Sequence, residues 1–200
     1  MIAIIDYGAG NIFSVKNALD YLGVENKFTA DKNEICAADE IILPGVGAFP
    51  WAMKMLRDSG LVDTIREEAR KKPFLGICLG MQLIFDKGYE FEETDGLRLI
   101  GGKVEKIDRK DMIIPHMGWN ELEINRDCPI LKSLPEHPYV YFVHSYAAVC
   151  DEANVSAYCD YGGKITALVH DGAYVYGAQF HPEKSGEVGL QMLRNFAELA

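Results

Sequence analysis

Cys78 lies between two glycines in Gly76-Ile77-Cys78-Leu79-Gly80, with the apolar pair Phe74-Leu75 before it and Met81-Gln82-Leu83-Ile84-Phe85 after it. Glycines two residues to either side let a strand turn sharply into a helix. This is the arrangement of a nucleophile elbow, here carrying sulfur in place of a hydroxyl. Such a turn lifts the side chain clear of a sheet and sets it beside a helix N-terminus, where partial positive charge favours the reactive thiolate. Glycine-rich strand–helix turns also occur without chemistry, so the thiol needs a base and a group that orients the base. The chain has five histidines, His116, His137, His144, His170 and His181. His181 stands out because it follows the apolar run Tyr174–Phe180 and is followed by Pro182-Glu183. In an extended stretch residues two apart face the same side, so Glu183 can hold the imidazole in one tautomer and stabilise its protonated form. Cys78, His181 and Glu183 are therefore the candidate triad. Pro44-Gly45-Val46-Gly47 adds glycine-rich backbone just past an expected strand end. Its N–H at Val46, together with that of Leu79, would supply the two donors of an oxyanion hole.

A framework must bring these segments together. Over the first hundred residues strand and helix patterns alternate. Strands are expected at Ile2–Ile5, Lys27–Thr29, Ile41–Leu43 and Phe74–Ile77, and helices at Ile12–Leu22, Phe49–Leu56 and Leu61–Lys71. That alternation predicts an α/β fold with an open, mostly parallel, doubly wound sheet and helices on both faces, its site at the carboxyl ends of the strands. From Leu97 the texture changes to short strands that form an antiparallel extension: Val104–Ile107, Asn120–Ile124, Val140–Val143 and Ile165–Val169. Asp171-Gly172 is a hairpin signal between Ile165–His170 and Ala173–Phe180, and Gly186–Leu199 closes the chain as a helix. Without repeats, low-complexity tracts or linkers, residues 1–200 read as one domain.

Two hundred residues, 48% hydrophobic and 25% charged, are those of an ordinary globular domain. A net charge of −10 argues against nucleic acid or an acidic membrane surface as partner. The short basic runs Arg109-Lys110 and Arg70-Lys71-Lys72 read as solvated faces. Met1–Asp6 lacks the pattern of a signal peptide, and no window is apolar enough for a membrane span, so a cytoplasmic protein is expected. The five cysteines (Cys36, Cys78, Cys128, Cys150, Cys159) are odd in number and lack a Cys-x-x-Cys pair. That disfavours a disulfide framework and a metal site, and leaves the four besides Cys78 as small buried hydrophobes. No cofactor is expected, because the third glycine of a dinucleotide fingerprint starting at Gly8 would fall on Phe13.

The segments Pro44-Gly45-Val46-Gly47, Gly76-Ile77-Cys78-Leu79-Gly80-Met81-Gln82 and His181-Pro182-Glu183 resemble, in order and spacing, the three signatures of the class I (triad) glutamine amidotransferases. The resemblance spans essentially the whole chain. It implies a flavodoxin-like open sheet and a reaction in which Cys78 attacks the side-chain amide of L-glutamine, His181 protonates the departing ammonia, and water resolves a γ-glutamyl thioester. It also assigns Gln82, Glu90 and the backbone of Gly47, Ser145 and Tyr146 to the α-substituents and amide of glutamine. Pro115-His116-Met117-Gly118-Trp119-Asn120, Tyr139–Tyr146 and His181–Ser185 further resemble the glutaminase subunits of imidazole glycerol phosphate synthase. In that group a heterodimer forms with a (β/α)8-barrel cyclase subunit that receives the ammonia. The resemblance makes Asn11, Met117, Trp119 and Lys184 candidate partner contacts, and predicts weak glutaminase activity for the chain alone. A glutaminase serving an anthranilate or aminodeoxychorismate synthase, and a non-catalytic docking module of the same fold, are the alternatives.

Overall fold

Strands built only from apolar side chains must be covered on both faces. The computed structural model describes residues 1–9 and 12–200. Its main sheet has eight strands in the order Asn26–Thr29, Ile2–Ile5, Glu40–Gly45, Phe74–Cys78, Val175–Ala178, Lys164–His170, Val155–Asp160, Glu123–Ile124. The first five are parallel and the last three are added antiparallel. Alternation along the strands sorts the core into two layers. Ile2, Ile4, Ile42, Leu75 and Ile77 face the helices Ile12–Tyr21 and Gly186–Ala197, meeting Val15, Leu19, Leu193 and Phe196. Ile5, Ile41, Leu43 and Phe74 face the opposite layer, formed by Lys32–Ala37, Phe49–Asp58, Val62–Glu68 and Leu79–Leu83. The sheet is thus doubly wound, as the alternation predicts.

Two smaller sheets stand over the carboxyl ends. His116–Glu121 pairs antiparallel with Tyr139–His144. A four-stranded sheet runs in the order Tyr146–Cys150, Gly102–Lys106, Lys87–Gly88, Thr94–Asp95.

Several expectations are corrected. The run Asn120–Ile124 is not one strand. His116–Glu121 belongs to the two-stranded sheet and Glu123–Ile124 to the edge of the main one, and the change of sheet occurs at buried Leu122. The helix expected over Leu61–Lys71 stops at Glu68. Beyond it Lys72 is no solvated residue: its ammonium donates to the carbonyls of Cys36 and Ala38, each at 2.7 Å, and pairs with Glu68 at 3.0 Å. Cys128 and Cys159 are buried, but Cys36 is exposed and Cys150 half-buried; all five are free thiols. The helix Lys32–Ala37 buries only Ile35 and has no apolar pattern to announce it. Its start is fixed by Asp31, whose Oδ1 accepts from the N–H groups of Asn33 (2.7 Å) and Glu34 (3.1 Å).

Candidate active site

Cys78 ends its strand opposite Gly45, with Ile77 opposite Ala178, so three strand ends reach one level around the sulfur. Its backbone lies at φ 55°, ψ −111°, a strained conformation of the kind concentrated at functional sites. The flanking glycines serve a different purpose from the one their spacing suggests, since the left-handed turn is made by Cys78 itself. Gly76 and Gly80 are needed for close approach. A Cβ on Gly80 would lie 1.9 Å from the Leu43 carbonyl oxygen, and one on Gly76 would lie 2.6 Å from that of Gly80. The helix that follows is short, Leu79–Leu83. Its continuation is taken by the incoming chain, as Leu97 N–H captures the Leu83 carbonyl at 2.7 Å and Leu99 N–H that of Ile84 at 2.8 Å. So brief a helix carries little macrodipole, and the charge around Cys78 must come from side chains.

His181 supplies it. Its N–H donates to the Tyr141 carbonyl at 3.0 Å, and its own carbonyl accepts from the Ser185 hydroxyl at 2.6 Å. The stretch expected to be extended is a 3-10 turn, Pro182–Lys184, because the proline fixes a helical φ at its first position. Glu183 still reaches the ring: His181 Nδ1 lies 2.8 Å from Glu183 Oε1, with side chains only 3% and 1% exposed. That bond leaves Nε2 for the thiol. Burial alone would depress the imidazole, but the adjacent Cys78 sulfur and the Glu183 carboxylate overcome it and lift the pKa to about 9. Among the described residues Glu183 Oε2 has no hydrogen-bond partner. The Cys78 sulfur sits 3.9 Å from the Val143 carbonyl and 3.9 Å from Gln179 Nε2.

These groups open onto a cavity of about 400 Å³. Val46, Gly47, Cys78, Leu79, Gln82, Glu90, Ser145, Tyr146 and His181 all line it, joined by Pro115, Val143 and His144. Gly47, at φ +100°, takes a backbone conformation that side-chain-bearing residues rarely adopt, although a Cβ there would meet nothing within 4 Å. Glu90 Oε2 accepts from the Phe49 N–H at 2.8 Å, capping a helix whose own N-cap, Ala48, has no side chain for the task. Gln82 Nε2 donates to the Tyr146 carbonyl and to Gln179 Oε1, both at 3.0 Å. A larger depression of about 960 Å³ holds none of these residues. Its Arg57 and Arg66 are tied to the carbonyls of Asp95, Gly96 and Leu97, a structural use of their charge.

Two sets of residues escape sequence reasoning. Gln179, fully buried, hides in the apolar run before His181; a lone amide in such a run must find partners, and that is its signal. His144, at the pocket wall, has Nδ1 2.8 Å from the Tyr146 carbonyl and Nε2 2.9 Å from Nδ1 of fully buried His116. His116 Nε2 continues to Asn120 Oδ1 at 2.8 Å. Of the candidate partner contacts, Met117 (59%) and Trp119 (53%) are exposed, Trp119 packing edge-on to Tyr141 at 6.1 Å. Lys184 is exposed on the turn that carries Glu183. Asn11 lies outside the described residues.

Residues 3–199 match the family model described as glutamine amidotransferase class-I. The chain is 49% identical over 201 aligned positions to the imidazole glycerol phosphate synthase subunit HisH of Listeria monocytogenes serotype 4a (strain HCC23), covering 100% of this chain and 96% of that protein. To the subunit HisH of Bacillus cereus (strain G9842) it is 51% identical over 197 positions, covering 98% and 93%. A crystal structure of a glutamine amidotransferase superposes with TM-score 0.77 at 23% identity, over 100% of this chain and 98% of the other. PurLQS from Thermotoga maritima gives TM-score 0.74 at 22% identity, over 98% and 96%. At these identities the two structures share the fold.

Proposed function

The chain belongs to the class-I glutamine amidotransferase family, and from that premise we propose its function. It is the glutaminase subunit of an imidazole glycerol phosphate synthase. It hydrolyses L-glutamine to L-glutamate and ammonia, and passes the ammonia to a (β/α)8-barrel cyclase subunit for histidine biosynthesis. The observation that supports this most is the buried His181–Glu183 pair beside the strained Cys78 on one cavity of about 400 Å³.

Glutamine enters with its α-carboxylate and α-ammonium held by Gly47, Gln82, Glu90, Ser145 and Tyr146. An imidazole with a pKa near 9 is charged at neutral pH, and a cation beside the sulfur stabilises the thiolate. Cys78 attacks the side-chain amide carbon, and the N–H groups of Val46 and Leu79 receive the oxyanion. His181 then gives its proton to the leaving nitrogen. The C–N bond breaks, ammonia departs and a thioester remains on Cys78. Neutral His181 takes a proton from water, which attacks the thioester, releasing glutamate and restoring the thiolate. Glu183 keeps the ring in one tautomer throughout and stabilises its charged form.

Ammonia freed into water at neutral pH is mostly protonated and no longer a nucleophile, so a second subunit must receive it. Met117 and Trp119, exposed on one strand, and Lys184 beside the triad form the docking face of a heterodimer, with Asn11 assigned to it from sequence alone. Among the described residues no helix is long and apolar enough to cross a membrane. We assign the complex to the cytoplasm, in keeping with its free thiols.

Cys78→Ala tests the reading within the complex. Glutamine-dependent synthesis should vanish while synthesis from added ammonia persists. Unchanged glutamine-dependent turnover would remove the catalytic assignment. Recovery of a chorismate-using enzyme instead of a barrel cyclase, on purification from the native host, would redirect the partner.

A further inference from the structure

We propose that the side-chain amide of Gln179 is a hydrogen-bond donor to the reacting sulfur, an assignment that rests on Cys78 being the nucleophile. Gln179 follows the strand Val175–Ala178, with its backbone N–H on the Ala167 carbonyl at 2.9 Å and none of its surface exposed. A carboxamide can present either an oxygen or an NH2 group to the thiol, with opposite effects. The neighbours decide which. A backbone carbonyl only accepts, so the Gln82 atom 3.0 Å from the Tyr146 oxygen must be its NH2 nitrogen. That same nitrogen lies 3.0 Å from the Gln179 side chain, where a donor requires the Gln179 oxygen. The remaining Gln179 atom, Nε2, is then the one 3.9 Å from Cys78 Sγ. His144 Nδ1 converges on the same Tyr146 carbonyl at 2.8 Å and holds the anchor of this chain in place.

The sulfur therefore has two polar neighbours of opposite sense. The Val143 carbonyl, at 3.9 Å, can only accept and favours the thiol. The Gln179 N–H favours the thiolate. When the proton leaves, the carbonyl contact turns repulsive and the amide contact strengthens, drawing the sulfur toward Gln179. Preorganised donors aimed at developing charge act strongly where burial limits screening by solvent, and Cys78 is only 7% exposed. Here the same device acts on the nucleophile instead of the oxyanion. Because Gln82 fixes the amide and itself lines the pocket, the nucleophile's donor is joined to the wall that holds the substrate.

Two variants test this. Gln179→Glu keeps the size and the acceptor for Gln82 but turns an oxygen toward the sulfur; Gln179→Met keeps the approximate size and removes the donor. The pH dependence of Cys78 alkylation by iodoacetamide, followed by mass spectrometry of the Cys78 peptide, reads the thiolate without any glutamine turnover. We expect the alkylation midpoint to rise by about one pH unit in Gln179→Met and further in Gln179→Glu. In the complex with the cyclase, kcat for glutamine should fall about tenfold with KM within about twofold. An unmoved midpoint in folded variants overturns the proposal, as does a rise in KM at constant kcat, which would make Gln179 a substrate-binding residue. Should neither variant fold, the side-chain amide signals of Gln179 in the 15N-labelled parent decide. They should shift as Cys78 titrates and stay fixed in Cys78→Ala; signals that ignore pH in the parent overturn the role. Retained glutaminase activity in Cys78→Ala would instead defeat the functional reading beneath it.

Discussion

Glu183→Gln removes one charge from the site and leaves its shape. Glu183 Oε1 lies 2.8 Å from His181 Nδ1, and neither side chain is more than 3% exposed, so water screens the pair little. Opposite charges about 4 Å apart attract by about 4 kcal/mol at an effective dielectric near 20. A neutral amide oxygen accepting from the same Nδ1–H restores about 1 kcal/mol of that. The imidazolium thus loses about 3 kcal/mol of stabilisation, equivalent to about a hundredfold in rate. Its pKa should move from about 9 back toward neutrality. Fold stability should respond differently. Glu183 Oε2 is buried without a partner among the described residues, and exchanging a half-satisfied buried charge for a neutral group relieves desolvation. We therefore expect kcat for glutamine hydrolysis in the complex to fall about a hundredfold at neutral pH, with the basic limb of the pH profile shifted to lower pH. Thermal melting should fall by no more than a few degrees. Glutamate release measured across the pH range, with parallel melting curves, provides both readouts. A kcat within about threefold of the parent and an unmoved profile would refute the reasoning that the charge of Glu183 sets the state of His181.

Three further outcomes follow from the geometry. In Gly80→Ala the new Cβ would lie 1.9 Å from the Leu43 carbonyl oxygen, whereas in Gly172→Ala (φ +87°) it meets nothing within 4 Å. The first should cost about 3 kcal/mol or more and the second about 1–2 kcal/mol; equal losses in urea titrations would show that close approach is not what Gly80 provides. Trp119→Ala should weaken cyclase binding by about 2 kcal/mol, about thirtyfold, while barely moving the melting temperature of the free chain, since Trp119 is 53% exposed. Unchanged affinity by calorimetry would take Trp119 out of the docking face. Stability should also fall away on both sides of pH 6.5, by opposite signs. Burial, partly offset by the Tyr146 carbonyl, holds His144 down at about 4, so its contribution is complete above 6.5 and is lost as pH falls toward 4. His181, raised to about 9, contributes fully below 6.5 and loses its contribution as pH rises through 9. Urea midpoints at acid, neutral and alkaline pH check both limbs, and His144→Gln should flatten the acid one. A parent profile without an acid limb would contradict the neutral burial of His144.

Residues marked by restricted neighbours are legible in this sequence. Cys78 is bracketed by glycines and His181 is followed by a proline, while Asp171 announces a turn that it then secures by accepting from the N–H groups of Ala173 and Val175. Even so, the glycines mislead about mechanism, because their own φ angles are ordinary and they serve close approach, Gly80 to the Leu43 carbonyl of a distant strand and Gly76 to the backbone of Gly80 and Met81 across the turn. Gln82, Glu90, Ser145 and Tyr146 carry no local mark; only the family resemblance points to them, and the cavity that gathers them is tertiary. Among the elements, Val155–Asp160 is obscured by register shifts that break its alternation. Lys87–Gly88 and Thr94–Asp95 are too short to show a period. Lys32–Ala37 buries only Ile35, so it has no apolar stripe to detect, and its one legible signal is the Asp31 cap. Trp119 is the opposite case. An isolated tryptophan invites placement in a core, yet Trp119 is 53% exposed, and the docking role proposed for it rests on the family resemblance.

The chain of contacts from the pocket wall to Asn120 also obeys a proton inventory. Three links, Tyr146 oxygen to His144, His144 to His116, and His116 to Asn120 Oδ1, each require one hydrogen. Two neutral imidazoles bring only two. Either the buried pair shares a third proton, or Asn120 turns its amide over and gives up the bond from its Nδ2 to the Asp160 carbonyl at 3.2 Å. The two arrangements differ by one proton and half a turn of a single amide. One end of this wire rests on the carbonyl that orients Gln82, and the other lies on the strand that presents Met117 and Trp119 to solvent.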